Sequence, residues 1–384
     1  MATYYVATYG SNSNNGTSPS TPWLTLAFAL GAASGTNPGL TAGDTLWIAP
    51  GTYRESITTT TLTGTSGNTI KIYGDPTFSK GWTSGNAGRV RITNFTSDTT
   101  LPTAGTTLAV IGDYVDISDL CLDGHPTGST RTNTPADACL FLRGGNITVT
   151  KCTIQTTQTS RQQAIQSYFV TGKKTLTIDR CTIFSSFSVW ILSASQTATF
   201  DADVTVKDTV IFGGNSDQAL VFEALSANQV TGAKVYNCTV IGQSYGIAFQ
   251  NWGNVGGTTT VLRNNLIYAT KGIGVANFVG TITITQTNNI INALTNFQNV
   301  SPTTVTISAP LFDFSAGRLQ GVNAFPWFAP ATGSPAISAG TSTGAPTVDL
   351  YGNTWLSNPT IGAIESMSLG GLLTHPGMTG GIRG

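Results

Sequence analysis

Seven segments of this chain repeat one eight-residue pattern, and that repeat constrains the fold more than any other feature. Its clearest copies are Ile147-Thr-Val-Thr-Lys-Cys-Thr-Ile154, Leu176-Thr-Ile-Asp-Arg-Cys-Thr-Ile183 and Ala233-Lys-Val-Tyr-Asn-Cys-Thr-Val240. Equivalent positions fall at Leu120, Cys152, Cys181, Thr209, Cys238, Asn265 and Asn289, with spacings of 32, 29, 28, 29, 27 and 24 residues. A fixed period of this length is the mark of a solenoid, in which each repeat buries its apolar face only against its neighbours.

Each copy contains a change of parity. Ile147 and Val149 share one face of a strand, while Cys152 and Ile154 share the opposite parity. A period-2 strand holds both pairs inside only if the chain bends between them. The bend falls at Lys151, Arg180, Asp208, Asn237, Asn264 and Asn288, where Asn and Asp suit a left-handed corner and Lys151 and Arg180 suit it less. A further strand follows each copy, as in Ala138–Leu142, Val189–Leu192, Ala219–Phe222 and Gly246–Phe249. The connections are too short for crossover helices. The expected fold is therefore all-β, a parallel β-helix built as a three-stranded solenoid.

Its divisions are expected at 1–50 (an N-terminal strand and capping helix), 51–312 (the β-helix), 313–366 (a C-terminal cap) and 367–384 (a Gly-rich tail). The helix is expected over residues 23–34, with Pro22 at its first position. Cys152, Cys181 and Cys238 read as a stacked core ladder, not a redox or metal site, and the odd count of five cysteines argues against a disulfide framework. Leu225, Trp252 and Phe278 recur beyond the further strand and read as a corner ladder, with a sugar-stacking platform as the alternative.

Charged residues are 9% of the chain, and 18 Lys and Arg balance 18 Asp and Glu. Without a basic run, nucleic-acid or anionic-membrane binding driven by net charge is not expected. No apolar stretch approaches 18 residues, and the N-terminus lacks a signal-peptide pattern. No cofactor motif is present, so no cofactor is expected.

Tyr4-Tyr-Val-Ala, Ala42-Gly-Asp-Thr-Leu and Pro50-Gly-Thr-Tyr-Arg-Glu55 resemble the opening of pectate-lyase-like right-handed β-helix proteins. Gly333-Ser-Pro-Ala-Ile-Ser-Ala-Gly340, Asp349-Leu-Tyr-Gly-Asn353 and Ile361-Gly-Ala-Ile-Glu365 resemble their C-terminal end. The resemblance implies a right-handed coil. It implies little about function, because the superfamily holds lyases, hydrolases, epimerases, phage tailspikes and non-catalytic adhesins.

Any chemistry is expected on the outer faces beside long loops. Hydrolysis needs two carboxylates flanking a glycosidic bond, and Asp217 with Glu223 bracket one strand. Asp113 and Asp116 lead the densest acidic group and are the candidates for a metal site. Tyr245, Gln250 and Trp252 are candidates for glycan binding, in a stretch from 224 to 312 whose only charges are Lys234, Arg263 and Lys271. Such a surface suits a neutral glycan or close protein packing. In the tail, Leu369, Leu372, Leu373, Met378 and Ile382 are expected to dock on a partner. Together these features favour a non-enzymatic structural protein of a phage or virus-like particle: a decoration, spike or fibre, assembled in the host cytosol, homotrimeric and bound to other particle proteins. The alternatives are a polysaccharide lyase or glycoside hydrolase, and a secreted carbohydrate-binding adhesin.

Overall fold

A computed structural model describes residues 1–31, 39–59, 62–100, 105–126, 138–156, 162–169, 174–185, 189–193, 201–213, 218–224, 230–250, 260–278, 282–298, 300–302, 306–307 and 334–365. The chain is an all-β parallel β-solenoid, and its single helix among the described residues is four residues long. It divides into two compact units, Met1–Tyr168 and Phe169–Gly371.

In the first unit one sheet stacks Thr3–Val6, Thr45–Ile48, Ile70–Gly74, Val115–Ser118 and Ile147–Thr150, all parallel and in register. Alternation turns Leu46, Ile48, Ile70, Ile72, Val115 and Ile117 into a core from which solvent is excluded. A second sheet holds Gly51–Arg54, Val90–Thr93, Cys121–Gly124 and Thr153–Thr156, together with Leu108–Ile111 and Ala138–Arg143. In the second unit the corresponding stacks run through Lys174–Asp179, Asp201–Lys207, Val230–Tyr236 and Thr260–Arg263, and through Thr182–Ser185, Val210–Gly213 and Thr239–Gly242. Phe222 and Phe249 stack inside it, 5.3 Å apart and 12° from parallel. Each buried side chain of this size stabilises the coil by about 2–3 kcal/mol.

Every corner expected from the parity change is left-handed. Lys151, Arg180, Asp208, Asn237, Asn264 and Asn288 have φ between 48° and 53°, and Asp119 has φ 59°. The next side chain then turns inward and satisfies the backbone that the bend leaves open. The Cys152 thiol lies 3.3 Å from the Thr150 carbonyl oxygen. In the second unit Cys181 and Cys238 reach the carbonyls of Asp179 and Tyr236 in the same way, and the Thr209 hydroxyl reaches that of Lys207. Asn265 and Asn289 extend this row as amides: Asn289 Oδ1 accepts from both the N–H and Nδ2 of Asn265, each at 2.9 Å. All five cysteines are buried, and none forms a disulfide bond.

The helix is shorter than the 23–34 expected, covering Leu26–Ala29. Trp23 is taken by the sheet instead: its N–H donates to the Tyr5 carbonyl, and its own carbonyl accepts from Ala7. Thr25, with extended backbone, is the N-cap and accepts from the Phe28 N–H. Glu55 accepts from the Leu26 and Ala27 N–H groups at 3.0 and 2.8 Å. The remainder of the expected helix, 32–34, lies outside the described residues.

Residues 334–365 of the second unit run along its outer surface. Leu350, Ala363 and Ile364 cover Phe184, Val210 and Ile241, with Phe212, Tyr268 and Tyr351 packed around them. Side chains at and beside the corners hold this segment down. Asn288 Nδ2 donates to the Ala339 carbonyl at 2.8 Å, and Arg263 Nη1 to that of Thr343 at 2.6 Å.

Candidate functional site

A cluster of charge lies in the first unit, on the outer side of Gly51–Arg54, Val90–Thr93 and Cys121–Gly124. Val90 and Ile92 point into the core, so Arg89 and Arg91 point out. Parallel register sets Arg91 beside Thr52 and Cys121, and Thr93 beside Arg54 and Asp123. Arg91 Nη2 and Nε donate to Asp123 Oδ2 at 2.5 and 3.2 Å, and Arg91 Nη1 to Asp98 Oδ1 at 2.6 Å. Arg54 Nη2 reaches the same Asp98 oxygen at 3.0 Å, while Arg54 Nη1 donates to the Phe95 carbonyl.

These pairings fix two of the three guanidiniums. Against the penalty of partial burial, Asp98 and Asp123 hold Arg91 above its usual pKa. Hydrogen bonds from Arg91 and Arg54 hold Asp98 below the usual carboxylate range. Arg89 differs: among the described residues it forms no ion pair, and partial burial, then the neighbouring charge of Arg91, lower its pKa against the influence of Cys121. Among the described residues, three guanidiniums against two carboxylates leave one positive charge uncompensated, and it sits on an exposed side chain. An anion placed over Arg89 would form a charge-assisted, bidentate pair.

The loops beside this face are tied together. Asn94 Oδ1 accepts from the His125 N–H at 3.0 Å, and Asn94 Nδ2 donates to the Gly105 carbonyl at 2.8 Å. Gln162 Nε2 lies 2.8 Å from His125 Nδ1 and 3.1 Å from the Pro126 carbonyl.

The described residues among those singled out from the sequence lie away from this cluster. Glu223 is buried at 7% exposure within Gln218–Ala224, paired in register with Leu192 and Gln250. Gln250 Nε2 lies 3.4 Å from Gln218 Oε1, and Tyr245 meets the ring of Phe278 edge-on at 5.0 Å. Phe278 is exposed. Asp217, Leu225, Trp252 and the tail residues Leu369, Leu372, Leu373, Met378 and Ile382 lie outside the described residues. Asp113 accepts from the Gly145 N–H at 2.7 Å. Asp116 faces Lys71 on the other sheet, where burial raises its pKa against a hydrogen bond from Thr148. Among the described residues no three acidic, His or Cys side chains converge on a metal-sized site.

The arginine face escaped the sequence reading because its members are 69 positions apart, from Arg54 to Asp123. A signal was present: Arg54, Arg89 and Arg91 fall within one short stretch of a chain with few charges, and Arg91 alternates with Val90 and Ile92.

No protein-family model and no curated protein matches the chain. Solved structures do. A pectate lyase, Pel9A, is 19% identical with a TM-score of 0.55, over 95% of this chain and 96% of its own. XylC in complex with xylose is 12% identical with a TM-score of 0.48, over 78% and 68%. A rhamnogalacturonan lyase is 16% identical with a TM-score of 0.44, over 76% and 74%. The chain has the pectate-lyase-like β-helix fold, and the first of these, which spans both chains almost end to end, carries that statement.

Proposed function

We propose that this protein binds an acidic polysaccharide on the outer face of Gly51–Arg54, Val90–Thr93 and Cys121–Gly124, and cleaves it. The observation that carries this reading is Arg89, an exposed guanidinium without a carboxylate partner among the described residues, beside an arginine already held by two. Its charge is free to meet the carboxylate of a uronate residue. Arg54 and Arg91 are locked by Asp98 and Asp123, which leaves Arg89 as the positive charge that this face presents. Neutralising a uronate carboxylate acidifies the proton on the adjacent carbon. That favours β-elimination, in which water takes the proton from that carbon, a C=C bond forms, and the glycosidic C–O bond breaks as its oxygen leaves with a proton returned from water. The end-to-end likeness to a pectate lyase supports the same substrate class.

These observations favour the enzyme over the particle protein expected from low charge and a Gly-rich tail. The test is to incubate the chain with pectate and other uronate polymers and follow ultraviolet absorbance of the unsaturated product. Absorbance that rises with the wild type and not with Arg89→Ala supports the proposal. New reducing ends without absorbance would make the enzyme a hydrolase, and neither signal on any uronate polymer would remove the catalytic reading.

A further inference from the structure

Asp208 occupies a left-handed corner of the second unit with φ 48° and is 1% exposed. Neither of its carboxyl oxygens has a hydrogen-bond partner among the described residues. The equivalent corners on the following turns are Asn237 and Asn264, which use neutral amides: Asn264 Nδ2 donates to Asn237 Oδ1 at 3.3 Å. Asn237 Nδ2, the next donor along this row, is also buried and unpaired. A carboxylate buried without hydrogen bonds costs several kcal/mol, so such a group takes up a proton instead.

The surrounding charges lead to the same conclusion. Asp179 is held by Arg180 at 3.1 Å and by Lys207 at 3.5 Å. Asp349, on the C-terminal segment, accepts hydrogen bonds from the N–H groups of Tyr351, Asn353 and Glu365 and from the Asn353 amide. The Cys238 thiol on the next turn is neutral, its pKa raised by burial. Among the described residues two carboxylates and two cations are thus already balanced, and an ionised Asp208 would add an uncompensated negative charge two residues before Val210, which Leu350, the neighbour of Asp349, covers. Burial first, then Asp179, push Asp208 up to about 9, against Lys207 and Arg180 and with a further push from Asp349.

We propose that Asp208 is a proton-operated latch for the C-terminal segment 334–365: protonated, it lets the segment seat over Phe184, Val210 and Ile241; ionised, it repels Asp349 and the segment lifts. The sign follows from linkage. The seated state binds the Asp208 proton, and the lifted state, with Asp208 in water, releases it at the ordinary carboxyl pKa of about 3.9. Seating is therefore strongest in acid. It weakens by up to about tenfold per pH unit above that value and is fully weakened once the pH passes the folded-state pKa of about 9. Lifting uncovers Phe184, Phe212 and Tyr268.

The test is hydrogen exchange of the full chain between pH 6 and 9, with intrinsic exchange rates divided out. The reporters are the amides of Leu350, Gly362 and Ala363, which bond to the Ala363 carbonyl, the Asn264 carbonyl and the Thr239 hydroxyl. In the wild type their protection should fall about tenfold per pH unit. In Asp208→Asn, which matches the residue at the following corners, protection should be higher at pH 8 and nearly flat. Wild-type protection that does not change with pH overturns the proposal even if the variant fails to fold, as do parallel profiles for the two proteins.

Discussion

Asn264 and Thr341 are joined by two hydrogen bonds running in opposite directions: Asn264 Oδ1 accepts from the Thr341 N–H at 2.9 Å, and Asn264 Nδ2 donates to the Thr341 carbonyl at 2.8 Å. One side chain at a solenoid corner thus pairs with the backbone of the C-terminal segment through both its donor and its acceptor. The same residue takes the left-handed backbone of its corner, φ 53°. Replacing it therefore separates two contributions. Asn264→Gly keeps the backbone freedom and removes the bonds, at about 1–3 kcal/mol. Asn264→Ala adds about 1–2 kcal/mol for the left-handed backbone. Urea unfolding should rank wild type above Gly above Ala, and equal stability of Gly and wild type would mean that the bracket contributes nothing.

Lys151 sits at the same kind of corner, φ 52°, without a side chain suited to it. Lys151→Asn or Lys151→Gly should raise stability by about 1 kcal/mol, because both enter the left-handed region at lower cost. A fall in thermal midpoint for both variants would count against the strain.

The corners were legible in the sequence because a strand cannot keep Ile147, Val149, Cys152 and Ile154 on one side without a bend, whatever residue stands at 151. The helix was legible only in part. Trp23 has good helical neighbours, but a pairing with Val6, made across the fold, outweighs local preference there. The arginine face was not legible, since strand register, not sequence distance, brings Arg54, Arg91 and Asp123 together. The buried state of Glu223 was equally hidden: an outward parity does not reveal what folds over a face.

Glu55 closes the start of the helix with one oxygen on each of two N–H groups, and burial raises its pKa against those bonds. Glu55→Ala should cost about 3 kcal/mol, since it removes two charge-assisted bonds and leaves the donors of Leu26 and Ala27 unpaired. Glu55→Gln, which can satisfy only one of them, should fall between. Chemical denaturation of the three proteins gives the order, and an unaltered Ala variant would contradict it.

The five thiols should be inert in the native protein. All are buried, and burial pushes Cys121 up to about 11 and raises Cys139 and Cys238 as well, so thiolate is scarce at neutral pH. Labelling with a thiol reagent should track unfolding. Rapid modification of Cys152, Cys181 or Cys238 before unfolding would place the ladder outside the core.

Binding of a uronate oligosaccharide to the arginine face tests the account most directly. Isothermal titration of wild type and Arg89→Ala with pectate oligosaccharides, at low and at moderate salt, should show binding that weakens with salt and drops about tenfold or more in the variant, since a charge-assisted pair contributes roughly 1.5–3 kcal/mol. Affinity for pectate that is unchanged by Arg89→Ala, or wild-type protein that binds no uronate oligosaccharide at low salt, would contradict the assignment of this face.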